Sequence, residues 1–66
     1  MSDYTKAMVE VEGVIRHRTD NAVLFYDGRV EAWLPESQIA NEEHDSVTGS
    51  VFFEIPEWLA EAEGLI

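Results

Sequence analysis

Alternation of apolar and polar side chains governs the first half of the chain. From Ala7 to His17, Val9, Val11, Gly13 and Ile15 fall on one face, and Met8, Glu10, Glu12, Val14 and Arg16 fall on the other. That period of two is the signature of a half-buried strand. Thr19-Asp20-Asn21 supplies turn chemistry, because Asp and Asn bond their own backbone and tolerate left-handed conformations. The β-prone run Ala22-Val23-Leu24-Phe25-Tyr26 follows as a second strand. Asp27-Gly28 then favours a tight type I′ hairpin turn. Arg29 to Leu34 alternates again, with Val30, Ala32 and Leu34 together and Arg29, Glu31 and Trp33 opposite, which predicts a third strand.

Pro35-Glu36-Ser37-Gln38 cannot continue a central strand, since proline lacks the ladder N–H, and it suits a turn or one short helical turn. Asn41 to Ser46 is expected to be a polar, acidic loop. Val47, Gly49, Val51, Phe53 and Ile55 then alternate with Thr48, Ser50, Phe52 and Glu54, which predicts a long fourth strand, bulged or bent at Gly49. Pro56 fits the first position of a helix and Glu57 its positive end, with Trp58, Leu59 and Ala62 sharing a side and Gly64 placed to end it. These elements predict a mainly β (β+α) fold. It is a small four- to five-stranded antiparallel sheet, or a partly open SH3- or OB-like barrel, with a short C-terminal helix. A single domain is expected over residues 1–66, with 1–6 flexible, 7–55 antiparallel β and 56–63 the short helix.

Composition narrows what such a fold can do. A chain of 66 residues buries only about 60% of the surface its unfolded form exposes, enough for one thin core and too little for a deep catalytic cleft. The absence of cysteine excludes disulfides and thiolate chemistry. The opening Met1-Ser2-Asp3-Tyr4-Thr5-Lys6 has no apolar signal core, and no run approaches the roughly 18 apolar residues of a membrane span. The expectation is a cytoplasmic protein without a membrane association. Charge changes the picture more sharply. Fourteen acids against four Lys and Arg give a formal net charge of -10, and no Lys or Arg follows Arg29. Such a field repels nucleic acid and anionic membrane, and steers basic protein surfaces toward it. Acidity of this kind also serves solubility alone.

Each candidate for chemistry has a plainer alternative. Glu42, Glu43, His44 and Asp45 hold metal-ligand side chains, but adjacent loop residues do not build the convergent geometry of a zinc or calcium site, so a solvated acidic loop is expected and no metal or cofactor. No Gly-x-Ser-x-Gly or Gly-rich phosphate loop accompanies Ser37, His17 or His44, so no enzyme activity is expected. Arg16-His17-Arg18 is the one basic cluster. It suits a phosphate or RNA contact beside Tyr26 and Trp33, or simple pairing with acids such as Glu10, Glu12 or Asp20. Trp33 falls opposite the apolar face of its strand. Either the C-terminal helix folds back with Trp58 and Leu59 to cover it, or it stands exposed as an interface hot spot.

Two stretches carry a resemblance: Asp27-Gly28 leading to Ala32-Trp33-Leu34-Pro35-Glu36-Ser37-Gln38-Ile39, and Glu54-Ile55-Pro56-Glu57-Trp58-Leu59-Ala60 through Gly64-Leu65-Ile66. Over roughly the last 40 residues the chain resembles short uncharacterised acidic proteins of bacterial phages and other mobile elements. The resemblance implies a genomic origin and assigns no catalytic residue. A looser likeness, carried by Gly13, Asp27-Gly28 and Pro35-Glu36-Ser37, is to small OB-type barrels that bind RNA. Glu10, Glu12 and Glu31 stand where such barrels place basic residues. A phage-like origin implies one use for an acidic barrel. It presents carboxylates in place of phosphates to a basic groove, as anti-restriction and anti-CRISPR mimics do. The expected partner is a host nucleic-acid-binding protein with a basic surface, contacted through Glu31, Trp33, Glu36, Glu42, Glu43, Asp45 and Glu54, by a monomer or homodimer. The competing expectations are an accessory domain touching RNA or DNA through Arg16, Arg18 and Arg29, and a self-pairing structural subunit.

Overall fold

A computed structural model describes residues 7–66, so the expected flexibility of 1–6 falls outside the described residues. Five antiparallel strands, β1 (Met8–Arg18), β2 (Ala22–Tyr26), β3 (Glu31–Pro35), β4 (Ala40–His44) and β5 (Val51–Pro56), form one open sheet in the order β3-β2-β1-β5-β4. A 3-10 turn at Glu36–Gln38 links β3 to β4, and one short helix, α1 (Glu57–Ala62), follows β5. The mainly β architecture and its C-terminal helix are as the alternation predicts.

The long central strand β1 organises the rest by changing partner halfway. Met8 to Gly13 pairs with β5, and Val14 to Arg18 pairs with β2. Gly13 stands at the changeover because nothing larger fits. A Cβ there would run into the carbonyl oxygen of Tyr26, and would lie 2.9 Å from both Asp27 Cα and Phe25 Cζ. Glycine therefore permits the close backbone approach by which β1 serves two strand pairs.

One face of the sheet is dry. Val11, Val23, Phe25, Leu34, Val51, Phe53 and Ile55 point inward and meet Leu59, Ala60 and Leu65 from the helical end of the chain. Phe25 and Phe53 are fully buried and meet edge to face with ring centroids 4.8 Å apart. Each such aromatic contributes roughly 1.5–3 kcal/mol by burial, so this pair is the centre of a thin core. Among the described residues no polar or charged side chain is buried in it.

α1 is held at both ends. The Glu57 N–H donates to the Ala7 carbonyl at 2.9 Å. At the C-terminus Gly64 has φ 77°, and Gly64 N and Leu65 N donate to the carbonyls of Glu61 and Ala60. That is the paired bonding of a left-handed glycine cap, with Leu65 tucked into the core behind it. The expected helical face is corrected: Leu59 and Ala60 face the core, whereas Trp58 and Ala62 are exposed.

Four local expectations also change. Asn41 to Ser46 is not a loop throughout, because Ala40–His44 pairs with β5 despite its polar sequence. An edge strand needs only its backbone bonds and tolerates charged side chains. The strand expected from Val47 starts instead at Val51. Asp45 Oδ1 accepts from Val47 N at 2.8 Å and Thr48 N at 3.3 Å, and Gly49 takes φ 79°, so Asp45 to Ser50 is a tight turn. At the β2–β3 hairpin only Gly28 has positive φ, so the turn is not type I′, which needs it at both central residues. Asp27 Oδ1 instead accepts from Arg29 N at 2.8 Å and Val30 N at 2.7 Å, and β3 begins at Glu31, not Arg29. No helix among the described residues is long and apolar enough to cross a membrane.

Candidate protein-binding face

The second face of the sheet carries no covering layer, since α1 packs on the core side against β5 and β1. Cross-strand register fixes what stands on that outer face. Glu10 lies opposite Glu54, Glu12 opposite Phe52, and Phe52 opposite Glu43. On the other half, Val14 lies opposite Tyr26, Tyr26 opposite Glu31, and Leu24 opposite Trp33.

A β-bulge in β1 sorts the basic cluster. Ile15 pairs with Phe25 but His17 pairs with Leu24, so one extra residue enters at Arg16 and the faces of the following residues exchange. Arg16 and His17 then both meet outer-face residues. Arg16 lies 4.3 Å over the Tyr26 ring and bonds Glu31 at 2.9 Å, while His17 meets the Trp33 ring edge-on at 6.0 Å. Arg18 is turned to the core side, opposite Val23, at the rim of the sheet. There its two terminal nitrogens bond Glu36 and Glu42, each at 2.8 Å. The Glu42 oxygen that takes Arg18 also takes His44 Nε2 at 2.6 Å. The two arginines are therefore paired, with Glu31, Glu36 and Glu42 in place of the expected Glu10, Glu12 or Asp20.

This separates the seven residues expected to bind a partner. Glu43 and Glu54 share the outer face of β4 and β5. Glu31 and Trp33 stand on the same face at the far edge strand, β3. Glu36 and Glu42 belong to the Arg18 clasp at the rim, and Asp45 to its turn. Trp33 is 48% exposed, so the C-terminal helix does not cover it. The structure adds Glu10 and Glu12 to the carboxylate group. Their alternation with Val9 and Val11 placed them outward, but only the pairing of β1 with β5 brings them beside Glu54 and Phe52.

The carboxylates divide electrostatically into employed and unemployed groups. Asp27 and Asp45 are held below the usual aspartate range, chiefly by the backbone N–H groups they accept, Val30 and Arg29 for the first and Val47 and Thr48 for the second. For Glu42 partial burial opposes ionisation, but the His44 hydrogen bond and Arg18 outweigh it and keep its carboxyl below the usual range. Glu10, Glu12, Glu43 and Glu54 have no ion pair among the described residues, although Asn41 Nδ2 donates to Glu54 at 2.7 Å. Like charges directly opposite one another, as Glu10 and Glu54 are, destabilise a sheet slightly.

A shallow cavity of about 410 Å³ opens where β1 changes partner, lined in part by Glu12, Gly13, Arg16, Tyr26 and Asp27. Its Arg16, Tyr26 and Asp27 groups already bond within the protein. Among the described residues no three His, Cys, Asp or Glu side chains converge as a metal site would require. Comparison with protein-family models, with curated proteins and with solved structures finds no match to this chain.

Proposed function

We propose that the protein is a non-enzymatic acidic binding module of phage or mobile-element origin. It inhibits or modulates a host nucleic-acid-binding protein by occupying that partner's basic surface in the cytoplasm. One observation carries this reading: Glu10, Glu12, Glu43 and Glu54 stand together on an uncovered sheet face with no ion pair among the described residues. A cationic partner would relieve the repulsion between Glu10 and Glu54, and the net charge of -10 would speed its encounter. Nucleic acid itself would meet the same field as repulsion.

The competing readings have less support. Arg16 and Arg18, two of the three cations an RNA or DNA contact would use, are bonded to Glu31, Glu36 and Glu42. Self-pairing through sheet edges is opposed on both sides. β4 carries a bulge between Ala40 and Glu43 with Asn41 at φ 55°, and β3 has only five residues and ends in Pro35.

The test is retention of host proteins on immobilised protein at low and high salt, with competition by duplex DNA. Glu10→Lys/Glu12→Lys/Glu43→Lys/Glu54→Lys should abolish retention of a nucleic-acid-binding protein, and reversal of Glu57, Glu61 and Glu63 on the helical side should not. Retention unaffected by the outer-face reversal, or recovery of RNA alone, would defeat the proposal.

A further inference from the structure

The outer face is more than a set of charges. Met8 is 42% and Val14 40% exposed there, and Phe52 stands between Glu12 and Glu43. Met8 and Phe52 thus lie within the acidic half, and Val14 at its border with the half built on β2, on a sheet that has a helix on one side only. A helix with one apolar stripe is one of the layers that pack on the face of an antiparallel sheet. We infer that this face docks a cationic amphipathic helix of the partner protein. Its apolar stripe would lie on Met8, Val14 and Phe52, and its Lys and Arg side chains would reach Glu10, Glu12, Glu43 and Glu54. This rests on the acidic-module reading above and adds the partner's secondary structure to it.

Two features select a helix, and a third selects its charge. An added strand would need a free edge, and the bulge in β4 and the short, proline-ended β3 deny one. The acidic half consists of three strands, β4, β5 and the first half of β1, and at about 4.8 Å between neighbours they span roughly 10 Å, the width of a single helix about 10–12 Å across. A second copy of this chain would bring another net charge of -10 against the same carboxylates, so charge complementarity requires a basic occupant.

The experiment uses two synthetic peptides of identical Leu and Lys composition. One is patterned as an amphipathic 18-residue helix, and the other is shuffled to remove the pattern. Each is titrated at low salt into the isotopically labelled full chain, and amide shifts and dissociation constants are read. The patterned peptide should bind at least tenfold more tightly and shift residues of β1 and β5 on the outer face. Met8→Ser/Val14→Ser, at two exposed positions that leave the core intact, should remove most of that preference. Equal binding of both peptides would overturn the helix inference while leaving the acidic-module reading standing, since the face would then read charge alone. Shifts confined to α1 or to the Asp45–Ser50 turn would also overturn it. Absence of binding by either peptide would defeat both.

Discussion

The α-carbon of Gly13 and the carbonyl oxygen of Tyr26 lie so close that no side chain fits between them. The contact joins the two halves of the sheet, because β1 leaves β5 at Gly13 and takes up β2 at Val14. Since the obstruction is backbone, it cannot rotate away, and Phe25 behind it belongs to the close-packed core. Gly13→Ala should destabilise the protein by about 1–3 kcal/mol, the range of overpacked sites. Urea unfolding checks this, and an unchanged midpoint would show that the two strand pairs can separate.

Arg18 joins the end of β1 to the 3-10 turn and to β4 through Glu36 and Glu42. Its side chain is 40% exposed, so solvent screening keeps the clasp modest. Arg18→Met, which retains the alkyl chain, should cost about 1 kcal/mol, with a coupling to Glu42→Gln of about 0.5 kcal/mol in a double-mutant cycle. Hydrogen exchange should quicken in β4 before it does in β2.

Acid should weaken the fold through a small set of carboxylates. Asp27, Asp45 and Glu42 all have folded pKa values below their ordinary 3.8, 3.8 and 4.5. Groups with depressed folded values contribute stability that is fully present above the unfolded pKa and lost as pH falls through the folded one. Melting temperature should therefore drop below about pH 4. Measured in 0.5 M salt to suppress long-range repulsion, the difference between the parent protein and Asp27→Asn/Glu42→Gln should shrink as the pH is lowered from 5 to 2. A constant difference would mean that these carboxylates are not specifically stabilised by folding.

Glu10 opposite Glu54 predicts opposite signs for stability and binding. Glu10→Lys replaces a like-charge pair by an ion pair and should stabilise the sheet by about 0.2–1 kcal/mol. The same change should weaken retention of the basic partner. Thermal melts and the retention assay together check it, and a loss of both stability and binding would point to misfolding in place of a lost contact.

Period-two alternation was enough to put Val9 with Val11, Ala32 with Leu34 and Phe53 with Ile55 on shared faces, because a strand with one dry face must separate its side chains by parity, whereas the all-apolar run Ala22–Tyr26 has no alternation and only its pairing turns Val23 and Phe25 inward. Gly64 likewise marked the end of the helix through a left-handed cap, while Pro56, expected at the first helical position, is the last residue of β5 and caps a helix that starts at Glu57. Parity fails where a residue is added or a backbone group is bonded by a side chain. The bulge at Arg16 reverses Arg18, the oxygens of Asp27 and Asp45 reshape both turns, and β4 owes its pairing to β5, not to its own polar sequence. Strand order is a long-range property: alternation alone sends Glu10, Glu12 and Glu54 outward, and it takes the pairing of β1 with β5 to make them neighbours. Cross-strand neighbours come from segments about forty residues apart, and nothing local to either segment specifies which other strand lies beside it.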